Sequence, residues 1–393
     1  MLTDQHIATI KATIPLLEQA GPALTTHFYQ RMFRESPELK HIFNMSNQHT
    51  GRQQVALFEA IAAYAKNIEN LAALSSAVER IAHKHTSFAI KAEHYAIVGH
   101  NLIETLRELA PEAFTADVEE AWTAAYQFLA QVFINREAEL YQASDAALGG
   151  WSETREFTLS AKQTESELVT SFTFTPVDGD PVIDYKAGQY IGLDVQPTGS
   201  DYREIRQYSL SNRAQGNSYR ISVKRELKPQ PGLVSNYLHD SLQVGDTVLL
   251  HPPAGDFHFT DRGRHVTLIS AGVGITPMMA MLEQLSAQQY PHNIYFLHAC
   301  ENAAQHSFQA RVEELCQGEE REQHSWYQEE TPTAENGYRG LMDITAVQLP
   351  LNESDFYLCG PTAFMAFAKA QLVNAGVAEE CIHYEVFGPH QSL

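Results

Sequence analysis

Three groups of residues in this chain have types and spacings that do chemistry. The segment SAGVGITP (270–277) follows the buried-strand run HVTLIS and opens a helical stretch, the context a phosphate-binding loop requires. Gly272 and Gly274 let the backbone approach a dinucleotide, Thr276 offers a hydroxyl to phosphate, and Val273, Ile275 and Pro277 complete the loop. The pattern is G-x-G-x-x-P, not the G-x-G-x-x-G of dinucleotide dehydrogenases. The second group centres on Glu137, eleven positions after Tyr126 and four after Phe133. On a helix that spacing aims a carboxylate where apolar side chains point, and a buried carboxylate is costly unless it meets a donor. The charged run NREAE around it leaves a solvated helix end as the other reading. The third is His85, one of 18 histidines, set in KHTSF with Tyr95 ten residues on. His83 would point to the opposite side of the same helix.

The elements that must position these residues change character along the chain. From Thr3 to about Tyr141 the sequence is poor in turn residues and follows a 3.6-residue period. Ile7, Ile10, Ile14 and Leu17 line one face behind a Thr3 cap, and Ala121, Ala125, Phe128 and Val132 line the last helix. The segment QASDAALGGW (142–151) is short, small and polar, and predicts a hinge. Phe157 with Leu159, Phe172 with Phe174, and Tyr219, Ile221 and Val223 then alternate with polar residues, which predicts a small antiparallel barrel through about Thr260. Finally HVTLIS, NIYFLHA, DFYLCG and IHYEVFG alternate with helical stretches, as in a doubly wound parallel sheet. The expected domains are therefore an all-α domain at 1–142, an antiparallel β-barrel at 151–261 and an α/β parallel-sheet domain at 265–393.

The totals agree with several cores in one chain, since single cores rarely grow past roughly 250–300 residues. Among 393 residues, 27 basic side chains face 48 acidic ones, a formal charge of −21. That balance repels phosphate backbones and anionic lipid, so nucleic acid and membrane surfaces are poor partners. The uncharged stretch 266–282 contains Gly272, Gly274 and Pro277, and reads as strand, turn and helix start, not as a membrane span. The first residues lack a basic segment followed by a continuous apolar run, so no secretory signal is expected. The four cysteines lack paired spacing, which argues against a zinc site or disulfide framework and fits the cytoplasm. No C-x-x-C-H occurs, which excludes that covalent attachment motif.

Two further segments, RQYS (206–209) and GQY (188–190), join SAGVGITP in a pattern that resembles the ferredoxin-reductase type of electron-transfer module. The helical half, with HFYQRMF, IFNMSN and KHTSF, is similar to the globin half of the bacterial flavohaemoglobins, the nitric oxide dioxygenase family. The resemblance covers essentially the whole chain. It implies haem b, FAD and NADH (or NADPH) as cofactors. His85 would be the proximal iron ligand, with Tyr95 and Glu137 bonded near it. Tyr29, Gln53 and Leu57 would line the distal pocket, and Phe43 would stack on the porphyrin. On pattern alone, Tyr29 and Phe43 are core residues.

In the reductase half the resemblance gives Arg206 to the FAD pyrophosphate, Tyr208 to the isoalloxazine and the Ser209 hydroxyl to the neighbourhood of flavin N5, with Gln207 among the cofactor-binding residues. Tyr190 belongs to a second flavin strand, and Ser235, in GLVSNYL, to the helix start beneath the pyrophosphate. Cys359, Gly360 and Pro361 of YLCGP approach the nicotinamide, and Val386, Phe387, Gly388 and Pro389 of EVFGP approach the flavin. Two departures stand out: VKRELKPQPGLVSN is longer and richer in proline than expected, and Val386 occupies a place where cysteine is expected. After NIYFLHA come Cys300, Glu301 and Asn302, with no basic residue before Arg311, which favours NADH.

The implied activity is oxidation of nitric oxide with O2 to nitrate by a monomer without an obligate protein partner. A haem-assisted reductase of hydroperoxides or of ferric and quinone acceptors, and an O2- or NO-binding sensor globin, are the alternatives.

Overall fold

The computed structural model describes residues 2–43, 51–333 and 335–388. The chain divides into two compact units, Met1–Ala147 with Asp194–Arg206, and Leu148–Leu193 with Gln207–Leu393.

The first unit is built from α1 (Asp4–Ala20), α2 (Pro22–Glu35), α3 (Arg52–Lys66), α4 (Ser75–Thr86), α5 (Ala92–Leu109) and α6 (Ala116–Ala146). The expected cap is present: the Thr3 hydroxyl accepts from His6 N–H at 3.1 Å. Ile10 and Leu17 enter a core shared with Leu24, Phe28, Tyr29, Met32, Ala121 and Ala125. Along α6 the inner line differs from the expected one. Phe128 and Val132 are only half-buried, and Phe133 and Glu137 are buried instead. The 31 residues of α6 also run through the first half of the predicted hinge. The stretch QASDAA has few residues that resist a helix, so the backbone ladder continues until Leu148-Gly149-Gly150. Trp151 is not linker either. It is buried, donates its indole N–H to the Leu250 carbonyl at 3.1 Å and packs on Phe157 and Tyr219.

The antiparallel sheet contains β1 (Arg155–Thr164), β2 (Val169–Pro176), β3 (Tyr190–Val195), β4 (Glu204–Ser209), β5 (Tyr219–Lys224) and β6 (Thr247–Leu250), in the order β4-β3-β6-β1-β2-β5. A bridge from Leu210 to Ile221 joins the two ends of that order, so the sheet closes as the alternation predicts. Phe157, Leu159, Phe172, Phe174, Tyr219, Ile221 and Val223 all point inward and are buried. The short helix α7 (Leu233–Asp240) follows Gly232.

The parallel sheet runs β10-β9-β8-β7-β11-β12. Its strands are β7 (His265–Ala271), β8 (Ile294–Cys300), β9 (Arg321–Tyr327), β10 (Gly337–Arg339), β11 (Ser354–Cys359) and β12 (Ile382–Glu385). Helices α8 (Ile275–Ala287), α9 (Gln309–Leu315) and α10 (Thr362–Asn374) accompany it. Strand order reverses at β7 and β11, the point where ligands lodge in open α/β sheets. No helix among the described residues is long and apolar enough to cross a membrane.

Candidate functional site

His85 lies in the last turn of α4, and Glu137 lies on α6 against it. Glu137 is only 2 % exposed and Oε1 is 2.7 Å from His85 Nδ1. The Tyr95 hydroxyl, from α5, donates to the same oxygen at 2.6 Å and sits 2.9 Å from His85 Nδ1. The buried carboxylate therefore meets two donors, which resolves the choice left by the NREAE run. Its neighbours divide the work: Arg136 turns outward to Glu79 and Glu139, while Glu137 turns in. Burial, then the charge of Glu137, pushes the Tyr95 phenol well up, so it stays a donor.

With Nδ1 fixed to a carboxylate, the imidazole presents Nε2 as its ligating atom. The His85 side chain is 32 % exposed while that of Glu137 is 3 %, so the ring is anchored at one edge and accessible at the other. Phe133 packs on both His85 and Tyr95, and the Tyr126 hydroxyl ties the Tyr95 carbonyl at 2.6 Å. His83 is turned to Glu79 at 3.2 Å, as its helical position predicts. Phe133 and Tyr126 were placed on the same stripe by spacing, but their support of this triad was not legible there.

Tyr29 is buried on α2, with its ring 6.0 Å from Phe43 and 5.9 Å from Phe33. Leu57 is partly buried against the same core, and Gln53 is half-buried one turn earlier on α3. Phe33, which stacks on Tyr29 and meets Phe43 edge-on at 5.6 Å, was missed by sequence reasoning. It lies four residues after Tyr29, so the helical period alone could have found it. A single anchored imidazole and an aromatic, apolar wall fit a non-covalent haem.

Arg206, Gln207, Tyr208 and Ser209 end strand β4. The Arg206 guanidinium pairs with buried Glu204 at 2.8 Å, a partner that sequence reasoning did not name. Leu210 N–H donates to the Gln189 carbonyl at 3.0 Å, so the RQYS strand and the GQY segment are joined directly. Tyr190 is buried beside Gly255, where a Cβ would lie 3.0 Å from the ring. The Ser235 hydroxyl receives the Glu226 N–H at 3.3 Å and thus braces the long proline-containing loop against α7.

At the end of β7 the glycines differ in use. Gly272 has φ +52° and open space where a Cβ would be, so ligand can reach its backbone. Gly274 is packed instead: a Cβ there would lie 2.2 Å from the Cys359 carbonyl oxygen. Loop SAGVGITP and loop YLCGP are consequently in direct contact. The Thr276 hydroxyl donates to the Val273 carbonyl at 3.0 Å, holding the turn, with Ile275 and Pro277 buried beneath. Cys359 is fully buried, and burial raises its thiol well above the usual range. Gly360 and Pro361 lead into α10, Val386 is buried and Phe387 is 44 % exposed, while Gly388 has φ +125°. Pro389 lies outside the described residues. An open glycine backbone beside a tightly packed one suits a dinucleotide, and an exposed terminal aromatic suits a flavin ring.

Family models match along the chain in the order of these sites: a globin at residues 26–133, an oxidoreductase FAD-binding domain at 156–259 and an oxidoreductase NAD-binding domain at 268–370. A flavohemoprotein of Vibrio cholerae is 60 % identical over 395 residues, spanning 100 % of both chains. Among solved structures, the flavohemoglobin of Malassezia yamatoensis, with bound FAD and heme, superposes with a TM-score of 0.89 at 27 % identity, covering 98 % of this chain and 100 % of that one. The FAD/NAD-binding domain of nitric oxide dioxygenase from Vibrio cholerae is 49 % identical, covers 60 % of this chain and 99 % of its own, with a TM-score of 0.57. With an anchored imidazole in a globin core, a flavin-type barrel and a nicotinamide-type crevice in one polypeptide, the chain belongs to the flavohaemoglobin (flavohemoprotein) family.

Proposed function

We propose that this chain is a nitric oxide dioxygenase that passes electrons from NADH through FAD to haem b and converts nitric oxide and O2 to nitrate. The observation that carries the reading is the His85–Glu137–Tyr95 triad, with the carboxylate 2.7 Å from Nδ1 and almost wholly buried. The likeness to the nitric oxide dioxygenase domain of Vibrio cholerae supports it. When bound, haem b would supply an iron that takes O2, and FAD an acceptor of hydride that releases electrons singly.

The chain's own residues would do the rest. His85 would hold the iron through Nε2, and Glu137 would keep the imidazole electron-rich by taking the Nδ1 proton into a strong hydrogen bond. Tyr29 and Gln53 would line the opposite side, with Leu57 and Phe43 against the porphyrin. Arg206 and Ser235 with the start of α7 would serve the FAD pyrophosphate. Tyr190, Gln207, Tyr208, Ser209, Val386, Phe387, Gly388 and Pro389 would surround the flavin. Gly272–Gly274 and residues 275–277 would cradle the nicotinamide nucleotide, with Cys359, Gly360 and Pro361 closing over its reactive ring. We assign 1–142 to the haem, 151–261 to FAD and 265–393 to NADH, with α6 running on past the first boundary. A monomer is our reading, and four free cysteines support the cytoplasm as its compartment. Both gaseous substrates are neutral and indifferent to the charge of −21.

Purified protein supplied with NADH under air should consume nitric oxide and form nitrate stoichiometrically. It should show Soret and flavin absorption, both altered by NADH. His85→Ala should abolish the Soret band and the activity while leaving flavin reduction by NADH intact. Faster turnover of hydroperoxides than of nitric oxide would favour the haem-assisted reductase instead.

A further inference from the structure

Glu283 is a buried acid that the scheme above does not use. It lies near the end of α8, in the apolar run MMAMLEQL, and is 7 % exposed. A carboxylate so placed must be compensated, and its partners come from three separate parts of the reductase. The Arg213 backbone N–H donates to Oε2 at 3.1 Å. Arg220, from β5 of the barrel, and Arg311, from α9 of the parallel-sheet domain, each bring a guanidinium nitrogen to 3.5 Å of Oε1. Arg220 is itself held by Ser211 and lies over the ring of Phe308, 5.4 Å from its centroid.

The connectivity gives this cluster its meaning. Helix α8 begins at the glycine loop, whose Gly274 abuts Cys359. Arg213 lies four residues beyond Ser209, on the continuation of the RQYS strand. The same helix touches the GQY segment as well, because a Cβ on Gly188 would meet Met281 Cε at 2.7 Å. One helix thus links the nicotinamide loop at its start to both flavin strands further along. Met281 supplies shape and Glu283 supplies charge.

We propose that Glu283 is a positioning residue that fixes the nicotinamide loop against the flavin strands at the separation needed for hydride transfer. The inference rests on the assignment of the flavin and nicotinamide sites given above. Hydride transfer depends steeply on donor–acceptor distance, so a small loss of registration lowers the rate without preventing either ligand from binding.

The test uses the full-length protein with FAD and haem bound, mixed anaerobically with NADH or with NADH deuterated at the transferred position. In Glu283→Gln, flavin reduction at saturating NADH should slow by about 10-fold or more. The isotope effect should grow and depend more strongly on temperature, and Glu283→Asp should recover part of the rate. FAD content and NADH affinity should stay within about twofold of the parent, as expected for an effect on orientation and not on binding. If Glu283→Gln does not fold, Arg220→Lys, which keeps the charge and loses the fork, carries the same expectations. Parental rates and isotope effects in either folded variant, even with a lower melting temperature, would overturn the proposal and leave Glu283 a stabilising ion pair. Nitric oxide is absent from the assay, so failure of the dioxygenase reading would not be mistaken for failure of this one.

Discussion

The carboxylate of buried Glu137 holds the His85 imidazole by a hydrogen bond, 2.7 Å from Oε1 to Nδ1. A hydrogen bond to a charged group contributes about 1.5–3 kcal/mol, and here it also sets which imidazole nitrogen faces outward. Replacing Glu137 by Gln keeps the shape and removes the charge. Nitric oxide turnover should fall about 10- to 100-fold, the usual cost of losing a partner behind a metal ligand. The iron–histidine stretching frequency of the reduced protein should drop at unchanged haem content. An unaltered frequency would mean that the carboxylate only holds the fold.

Gly274 and Cys359 make a backbone-to-backbone approach that no side chain can share. A methyl group at Gly274 would sit 2.2 Å from a carbonyl oxygen and 2.6 Å from the Gly360 nitrogen, neither of which can swing away. Gly274→Ala should therefore part the two loops and raise the KM for NADH about 10-fold or more, as a displaced positioning element does. Flavin reduction by dithionite should be unaffected. Gly272→Ala meets no atom within 4 Å and differs by its positive φ. It should cost about 1 kcal/mol of stability, measured by denaturant titration.

How far these sites could be read in advance depended on whether their partners lay nearby in sequence. Glu137 was legible because Phe133 and Tyr126 fall on the same helical stripe, and the glycine loop because a strand precedes it and a helix follows. Glu283 was not, since its donors stand 28 to 70 residues away and an acid in an amphipathic helix ordinarily faces water. Trp151 was hidden by the small polar residues before it, although its burial depends on Leu250, Phe157 and Tyr219. The predicted hinge contains the boundary between the two units, at Ala147 and Leu148, but its first half is helical: the composition of 142–146 permits a loop and also permits a helix, and α6 already supplied a growing end. Barrel and parallel sheet were both legible, because alternation of period two and strand–helix alternation are properties of the local chain.

The end of β8 is acidic beyond what Glu301 alone predicts. The Asn302 amide donates to Glu329 at 2.7 Å, and the Ala303 N–H donates to Glu330 at 2.6 Å. A 2′-phosphate entering there would face three carboxylates, so kcat/KM for NADH should exceed that for NADPH by about 10-fold or more. Exchanging Glu301 for Arg should narrow the ratio, chiefly through KM for NADPH. A parent protein that prefers NADPH would contradict the assignment of this strand end to the ribose.

His298 and His306 pack at a tilt inside the parallel-sheet domain with ring centroids 4.8 Å apart, bonded to Ser270 and Tyr327 respectively. Burial drives both toward the neutral form, holding His298 well below the usual imidazole range and taking His306 from 6.5 down to about 4. In the unfolded chain these imidazoles would bind protons at their ordinary pKa. Between about pH 6.5 and 4 the unfolded state therefore binds more protons than the folded one, and stability must fall as pH is lowered through that window. Each such proton steepens the decline by about 1.4 kcal/mol per pH unit where the uptake is complete. Above pH 6.5 the two residues should contribute no slope. His306→Gln, which keeps a polar group toward Tyr327 but cannot titrate, should flatten the decline between pH 6 and 4.5. The urea midpoint followed by the emission of buried Trp326 would report it, and an equal slope in parent and variant would assign the acid sensitivity elsewhere.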